Sequence, residues 1–250
     1  MKYLVLLCIL LAGYTTRSQS MDSLAFGKDS ILISQKPLRF TFRQTFIPAG
    51  LLVSGIATTD NGRESLKNEI AEERNEHFSS FRTHLDNYMQ FSPIAVAYGL
   101  DAIGIKSKTD MANRTVILLK GEALMYGVVT LLKNTTHELR PDGTNRTSFP
   151  SGHTAQAFAA ATFLSEEYKD RFKWMPYAAY GLASGVGALR LANNKHYLCD
   201  VLVGAGIGIL SMKIAYWTHK YKWGKKRMPS KIYHLTNDTS FSNLTYDMAR

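Results

Sequence analysis

The sequence predicts an all-α fold, a polytopic membrane helical bundle, on three observations. Apolar stretches of helical length, residues 89–105, 116–132, 174–191 and 201–217, alternate with heavily charged connections. Glycines recur four residues apart in two of them, Gly181 with Gly185 and Gly204 with Gly208, a spacing that lets helices approach closely in lipid. Three polar blocks each sit at the end of an apolar segment, so folding would gather them at one rim of the bundle. The mean hydropathy of −0.14 is low for such a protein because it averages apolar spans with charged loops.

Met1, Lys2 and Tyr3 followed by the apolar residues 4–13 have the basic start and short apolar core of a secretory signal. Residues 1–20 are therefore expected to be a signal peptide, with Ser18 and Ser20 offering a cleavage site before Met21. An uncleaved anchor is the alternative, for which the apolar core is short. Cleavage would remove Cys8 and leave only Cys199, which reads as a small buried thiol on a helix. Residues 21–86 form an N-terminal region with one short apolar segment, 46–58, carrying Pro48 near its start. Residues 60–86 are charged and favour helix, and Glu69, Glu72, Glu73 and Glu76 read as a solvated face rather than a metal site.

Residues 87–222 hold the core. Lys120 and Glu122 fall inside the segment 116–132, where a charge is either functional or one that snorkels or faces the protein interior. A small-residue helix over 151–164 follows, then a charged loop over 166–173, and residues 223–250 make a basic and polar tail. A net charge of +10 could suit nucleic acid, but no basic reading helix or aromatic RNA-binding motif accompanies it, so a nucleic-acid partner is excluded. The basic loops instead suit an anionic membrane surface, which makes membrane lipids the partner. If each apolar segment crosses, the loops 106–114 and 166–173 and the basic tail share one side, and the three polar blocks share the other. The positive-inside rule makes the basic side cytoplasmic and turns the polar blocks outward. A cleaved signal followed by a full crossing of 46–58 would invert this arrangement, so 46–58 is expected to be re-entrant or not to cross.

The polar blocks carry the chemistry. Phe149-Pro150-Ser151-Gly152-His153-Thr154 opens a helix whose free N–H groups and positive dipole end suit an anion, with Ser151 as N-cap. Gly152 lets the backbone approach a ligand closely, and His153 adds a titratable group at the same mouth. Upstream, Lys133 ends an apolar segment and Arg140 precedes Pro141. Downstream, Arg190, His196 and Asp200 precede the last apolar segment. Lys133, Arg140 and Arg190 would supply the positive charge that phosphoryl oxygens need. If a helix starts near Asn194, the four-residue spacing puts Asp200 on one face with His196, where it could hold the imidazole in one tautomer.

The pattern Lys-x6-Arg-Pro, then Pro-Ser-Gly-His, then Arg-x5-His-x3-Asp resembles the type-2 phosphatidic acid phosphatase superfamily, over about residues 89–222. That superfamily also contains bacterial acid phosphatases, glucose-6-phosphatases and vanadium haloperoxidases. One departure is visible: the third motif usually begins Ser-Arg, and here it reads Leu189-Arg190. The resemblance implies that His196 attacks phosphorus and forms a phosphohistidine, that Asp200 orients it, and that His153 protonates the leaving alkoxide. It implies phosphate binding by Lys133, Arg140, Ser151, Gly152 and Arg190, with no metal and no cofactor. The expected substrate is a membrane lipid phosphate: lipid A, undecaprenyl diphosphate or phosphatidate. The expected location is the bacterial inner (cytoplasmic) membrane, with the active site at the periplasmic ends of the core helices. The alternatives are an inactive lipid-binding scaffold, a vanadate-dependent haloperoxidase, and a soluble phosphatase. His137 reads as solvent-facing or as a gate residue, and His219 and His234 as tail residues without a role.

Overall fold

Side-chain caps and chain-breaking residues set several of the helix boundaries. The computed structural model describes residues 40–59 and 65–220, all in one unit of the chain, Ser34–Arg250. The expected signal, residues 1–20, and the tail, 223–250, lie outside the described residues. Among these there are eight helices and no strand: α1 Arg43–Ala57, α2 Leu66–His77, α3 Leu85–Met89, α4 Ser92–Ala102, α5 Met111–Thr136, α6 Gly152–Tyr168, α7 Met175–Ala192 and α8 Leu198–Trp217. Asp110 caps α5 by accepting from the Asn113 amide at 3.1 Å, and His137 ends it in the left-handed conformation at φ 47°. Pro176 opens α7 in its first turn, and Asn194 follows its end at φ 58°. α5 and α8 are long and apolar enough to cross a membrane. Leu119, Tyr126, Leu131 and Tyr177 stand exposed on the outer surface, where lipid would cover them.

α6 is the central helix. It packs against α4, α5, α7 and α8, and its alanines, with Phe163 and Tyr168, are fully buried. Its small side chains let α8 come in until the two backbones touch. A Cβ added at Gly204 would stand 2.5 Å from the Ser151 carbonyl oxygen, and one at Gly208 would collide with the Ala155 carbonyl. The second glycine pair does no such work, since Gly181 has nothing within 4 Å of the added Cβ position and Gly185 only the end of Met89. Gly208→Val is therefore expected to cost about 3 kcal/mol or more, because backbone rather than a pliable side chain must yield. Gly181→Val should be nearly neutral, and thermal unfolding of both variants in detergent checks the contrast.

Four sequence expectations need correction. The apolar stretch 89–105 is not one span. α3 ends at Met89, the Ser92 hydroxyl donates to the Met89 carbonyl at 2.8 Å, and Pro93 opens an α4 of only 11 residues, about 16 Å long. The charged loop expected to start at Glu166 starts later, because α6 runs on to Tyr168. Glu167 accepts from the Tyr216 hydroxyl at 2.7 Å and the Thr109 amide at 2.8 Å, and Glu166 pairs with Lys169 and, at 3.2 Å, with Lys213. Partnered in this way, both carboxylates can be buried. α8 starts at Leu198, not near Asn194. His219 is buried, with Nε2 2.8 Å from Asn113 Oδ1, and so has a structural role.

Of the two charges in the segment 116–132, Lys120 is exposed and Glu122 half-buried. Lys120 donates to the Thr218 hydroxyl at 3.0 Å, and Glu122 accepts from the Gln156 amide at 2.8 Å. α1, over the apolar segment 46–58, lies along α8, where Gly206 makes room for Leu52 and the Pro48 carbonyl. Its 15 residues extend about 22 Å, short of a hydrocarbon core of about 30 Å. The C-terminal ends of α5 and α7 and the N-terminal ends of α6 and α8 meet at one rim. At the other rim Arg114 is buried between Asp101 at 3.1 Å and the Ser107 hydroxyl at 2.7 Å, and Lys108 pairs with Asp170 at 3.3 Å.

Candidate active site

At the first rim the chain gathers all eight residues singled out from the sequence. Ser151 caps α6, its hydroxyl accepting from the Thr154 amide at 3.4 Å and lying 2.8 Å from the Thr154 hydroxyl. Its own amide donates to the Asp200 carbonyl at 3.0 Å, tying the start of α6 to the start of α8. A Cβ at Gly152 would lie 3.8 Å from Val129 and 3.9 Å from Lys133 Cε. Those are ordinary contacts, so protein packing does not demand the glycine there. Lys133 reaches across the mouth and donates to the Thr147 carbonyl at 2.5 Å.

The imidazole–carboxylate pair forms, though not by the route expected. His196 lies two residues before α8, and Asp200 occupies the first turn of that helix. Asp200 Oδ2 accepts from the Tyr197 amide at 3.0 Å, as an acidic residue in a first helical turn does, and the same oxygen lies 3.2 Å from His196 Nδ1. The Ser148 hydroxyl donates to that oxygen as well. His196 is 3% exposed and Asp200 and Ser148 are fully buried. With Nδ1 held by the carboxylate, Nε2 is the nitrogen left for chemistry.

Burial pushes the His196 imidazole down to about 4, against the pull of Asp200 and with Arg190 and Lys133 adding to the depression. The ring is neutral near pH 7, as a nucleophile must be. Between pH 4 and 6.5 the unfolded chain binds a proton at this position and the folded chain does not. Stability therefore rises with pH across that window, by about 3 kcal/mol. Denaturant unfolding in detergent from pH 4 to 7 should give a slope that is shallower by one proton in His196→Gln.

Lys133, Arg140 and Arg190 lie close enough that their fields act on one another. Arg190 is 6% exposed, its Nη1 donates to Asp86 at 2.5 Å, and its Nε is buried with no partner, as is Arg140 Nε. Burial, and then the field of Arg190, disfavour the charge on Arg140. Unpaired buried donors on crowded guanidinium groups suit an anionic oxygen. Lys195 closes the first loop over the third block by pairing with Asp142 at 2.6 Å. Burial would raise that carboxyl, but Lys195 and the Thr144 hydrogen bonds outweigh it and hold it at about 2. From α2, Lys67 pairs with Glu138 at 2.5 Å and lies 4.4 Å from the Tyr197 ring centre, supporting both loops from below.

Three residues at this rim have no counterpart in the sequence reading: Asp86 on Arg190, Asn87 with Oδ1 2.8 Å from His153 Nε2, and Ser148 on Asp200. Each partner is 52 or more positions away, so no local spacing could have marked it. His137 is exposed and contributes nothing to the pocket. Cys199 is buried, its Sγ 3.6 Å from Asp200 Oδ1. Among the described residues no group of three or more His, Cys, Asp or Glu is arranged to hold a metal ion.

Residues 114–224 match the family described as the PAP2 superfamily. A lipid A 1-phosphatase of Porphyromonas gingivalis is 34% identical over 228 residues, 85% of this chain and 49% of that protein. The chain thus spans about half the length of this curated relative. Among solved structures, Aquifex aeolicus LpxE is similar at 23% identity and a TM-score of 0.44, over 58% of this chain and 92% of that one. A transmembrane PAP2-type phosphatidylglycerolphosphate phosphatase from Bacillus subtilis is similar at 21% identity and a TM-score of 0.43, over 68% and 94%.

Proposed function

Residues 114–224 match the PAP2 superfamily, and on that premise we propose that the protein is a metal-independent phosphatase of a membrane lipid phosphate. The observation that carries the reading is the pair of orphaned guanidinium nitrogens, Arg140 Nε and Arg190 Nε, at the rim that holds the buried His196–Asp200 pair. A phosphoryl group would satisfy both donors, and Lys133 and the α6 N-terminus would share its charge. His196 Nε2 attacks phosphorus as the bond to the leaving oxygen breaks, and His153 gives that oxygen its proton. Water then attacks the phosphohistidine, releasing phosphate and restoring the imidazole. Asp200 carries the countercharge while His196 is cationic. Positioned cations stabilise the equatorial oxygens, so no divalent ion is required.

Two observations favour a lipid over a soluble ester. α5 and α8 have the length and composition of membrane spans. A groove of about 380 Å³, lined almost wholly by apolar side chains of α1, α5 and α8, reaches Leu132 and Phe149, the chain neighbours of Lys133 and Pro150. An acyl chain fits that lining. The similarity to a lipid A 1-phosphatase puts lipid A first among the substrates, ahead of undecaprenyl diphosphate and phosphatidate. The basic loops opposite the site orient it towards the periplasm from the inner membrane.

The test is phosphate release by detergent-purified protein, in EDTA, from lipid A, undecaprenyl diphosphate and phosphatidate. Release that survives EDTA, fastest from lipid A, is the expected result. No release from any lipid by folded protein would overturn the reading in favour of an inactive lipid-binding scaffold.

A further inference from the structure

The two histidines of the site are each held by one nitrogen, and by partners of different charge. His196 is held at Nδ1 by the Asp200 carboxylate at 3.2 Å. His153 is held at Nε2 by the Asn87 side-chain oxygen at 2.8 Å. An amide oxygen has no hydrogen to give, so this contact requires the proton on His153 Nε2 and leaves Nδ1 to exchange a proton with substrate. We propose that Asn87 is a positioning residue for the general acid, fixing the His153 ring through a neutral acceptor. This inference rests on the phosphatase reading above and adds a residue from outside the matched family segment.

The difference in charge has a chemical use. The nucleophile gains positive charge as it attacks, and a carboxylate partner stabilises that gain. The acid loses positive charge as it protonates the leaving oxygen, and a carboxylate there would hold the proton back. A neutral amide fixes the ring without opposing the transfer. The other charged groups whose fields reach His153 are Arg190, Asp86, Arg140 and Lys133.

α3 is anchored firmly enough to serve. Asp86, adjacent to Asn87 and 1% exposed, accepts from Arg190 at 2.5 Å and from Asn193 at 3.4 Å. Asn193 exchanges two further hydrogen bonds with the Thr83 backbone, at 2.9 and 3.0 Å. Arg74 of α2 donates twice to the Ala192 carbonyl, at 2.9 and 2.8 Å. The stretch before Asn87 is thus stitched to the C-terminal end of α7, and Asn87 cannot drift without breaking buried bonds.

The experiment compares leaving groups. p-Nitrophenolate departs without protonation, whereas the alkoxide of phosphatidate needs an acid. Asn87→Ala should lower kcat on phosphatidate about 10- to 100-fold and on p-nitrophenyl phosphate by less than about 3-fold, as should His153→Ala. Asn87→Asp should shift the basic limb of kcat on phosphatidate to higher pH, a shift that loss of packing would not produce. Selective loss in His153→Ala, with Asn87→Ala slowing both substrates equally or neither, would overturn the role of Asn87 and leave the phosphatase reading intact. Equal losses on both substrates in His153→Ala would overturn the assignment of the acid and the proposal with it. Folded wild-type protein that releases phosphate from none of lipid A, undecaprenyl diphosphate, phosphatidate and p-nitrophenyl phosphate would overturn the phosphatase reading itself.

Discussion

His196→Ala is expected to lower lipid phosphate release by about 10⁴-fold or more, leaving only what the cationic pocket does by binding and polarising the ester. The reason is chemical rather than steric. No other described imidazole is so placed, since His153 is held by Asn87 across the mouth and His137 is exposed. The fold should survive, because the substitution removes a side chain that is buried without a charge and is held by one carboxylate. Asp200 keeps the Tyr197 amide and the Ser148 hydroxyl as partners after His196 is gone. Purified variant should therefore elute and melt as a folded protein while phosphate release falls below detection. Acid-labile, base-stable label from ³²P-phosphatidate should appear on wild type and be absent from the variant.

Asp200→Asn is expected to reach a loss of about 10³- to 10⁴-fold by a different route. The amide keeps the size of the carboxylate but presents either an N–H or a neutral oxygen to His196 Nδ1. The oxygen holds the ring without balancing its charge, and the N–H forces the proton to Nε2, where it blocks attack. The Ser148 hydroxyl and Tyr197 amide both donate to Oδ2, so the oxygen of the new amide is drawn to them and its nitrogen falls to other neighbours. The diagnostic is kcat set against product affinity. Steady-state kcat should drop while the affinity for phosphate, read as product inhibition, changes little, because Lys133, Arg140 and Arg190 are untouched.

Motif residues could be read in advance because they lie at helix ends at fixed spacing, and a helix end is a local property of sequence. Ser151 as the cap of α6 and Lys133 at the end of α5 follow from patterning alone. The His196–Asp200 contact was legible for an imperfect reason: the spacing suggested one face of a helix, whereas Asp200 sits in the first turn of α8 and His196 outside it. Asp86, Asn87 and Ser148 were illegible because tertiary packing alone brings them to Arg190, His153 and Asp200. Hydropathy misled in two places. It counted residues 89–105 as continuous although Ser92 and Pro93 break the chain there. It read Glu166 and Glu167 as loop because it could not see Lys213 and Tyr216 waiting on α8. The glycine pairs show the same limit, since spacing identified both and only Gly204 with Gly208 faces another backbone.

That backbone contact bears on how the protein tolerates its solvent. A bilayer varies in thickness and lateral pressure, and helices separated by a layer of side chains can answer by sliding or tilting against each other. On the proposed mechanism α6 would present the phosphate cradle and the turn before α8 the nucleophile, and at Gly204 and Gly208 no side chain separates the two backbones. The Ser151 and Ala155 carbonyls press directly on Gly204 and Gly208, and the Ser151 amide is bonded to the Asp200 carbonyl. On that mechanism cradle and nucleophile would move together, and the distance over which phosphorus is transferred would be a property of the chain rather than of the membrane around it.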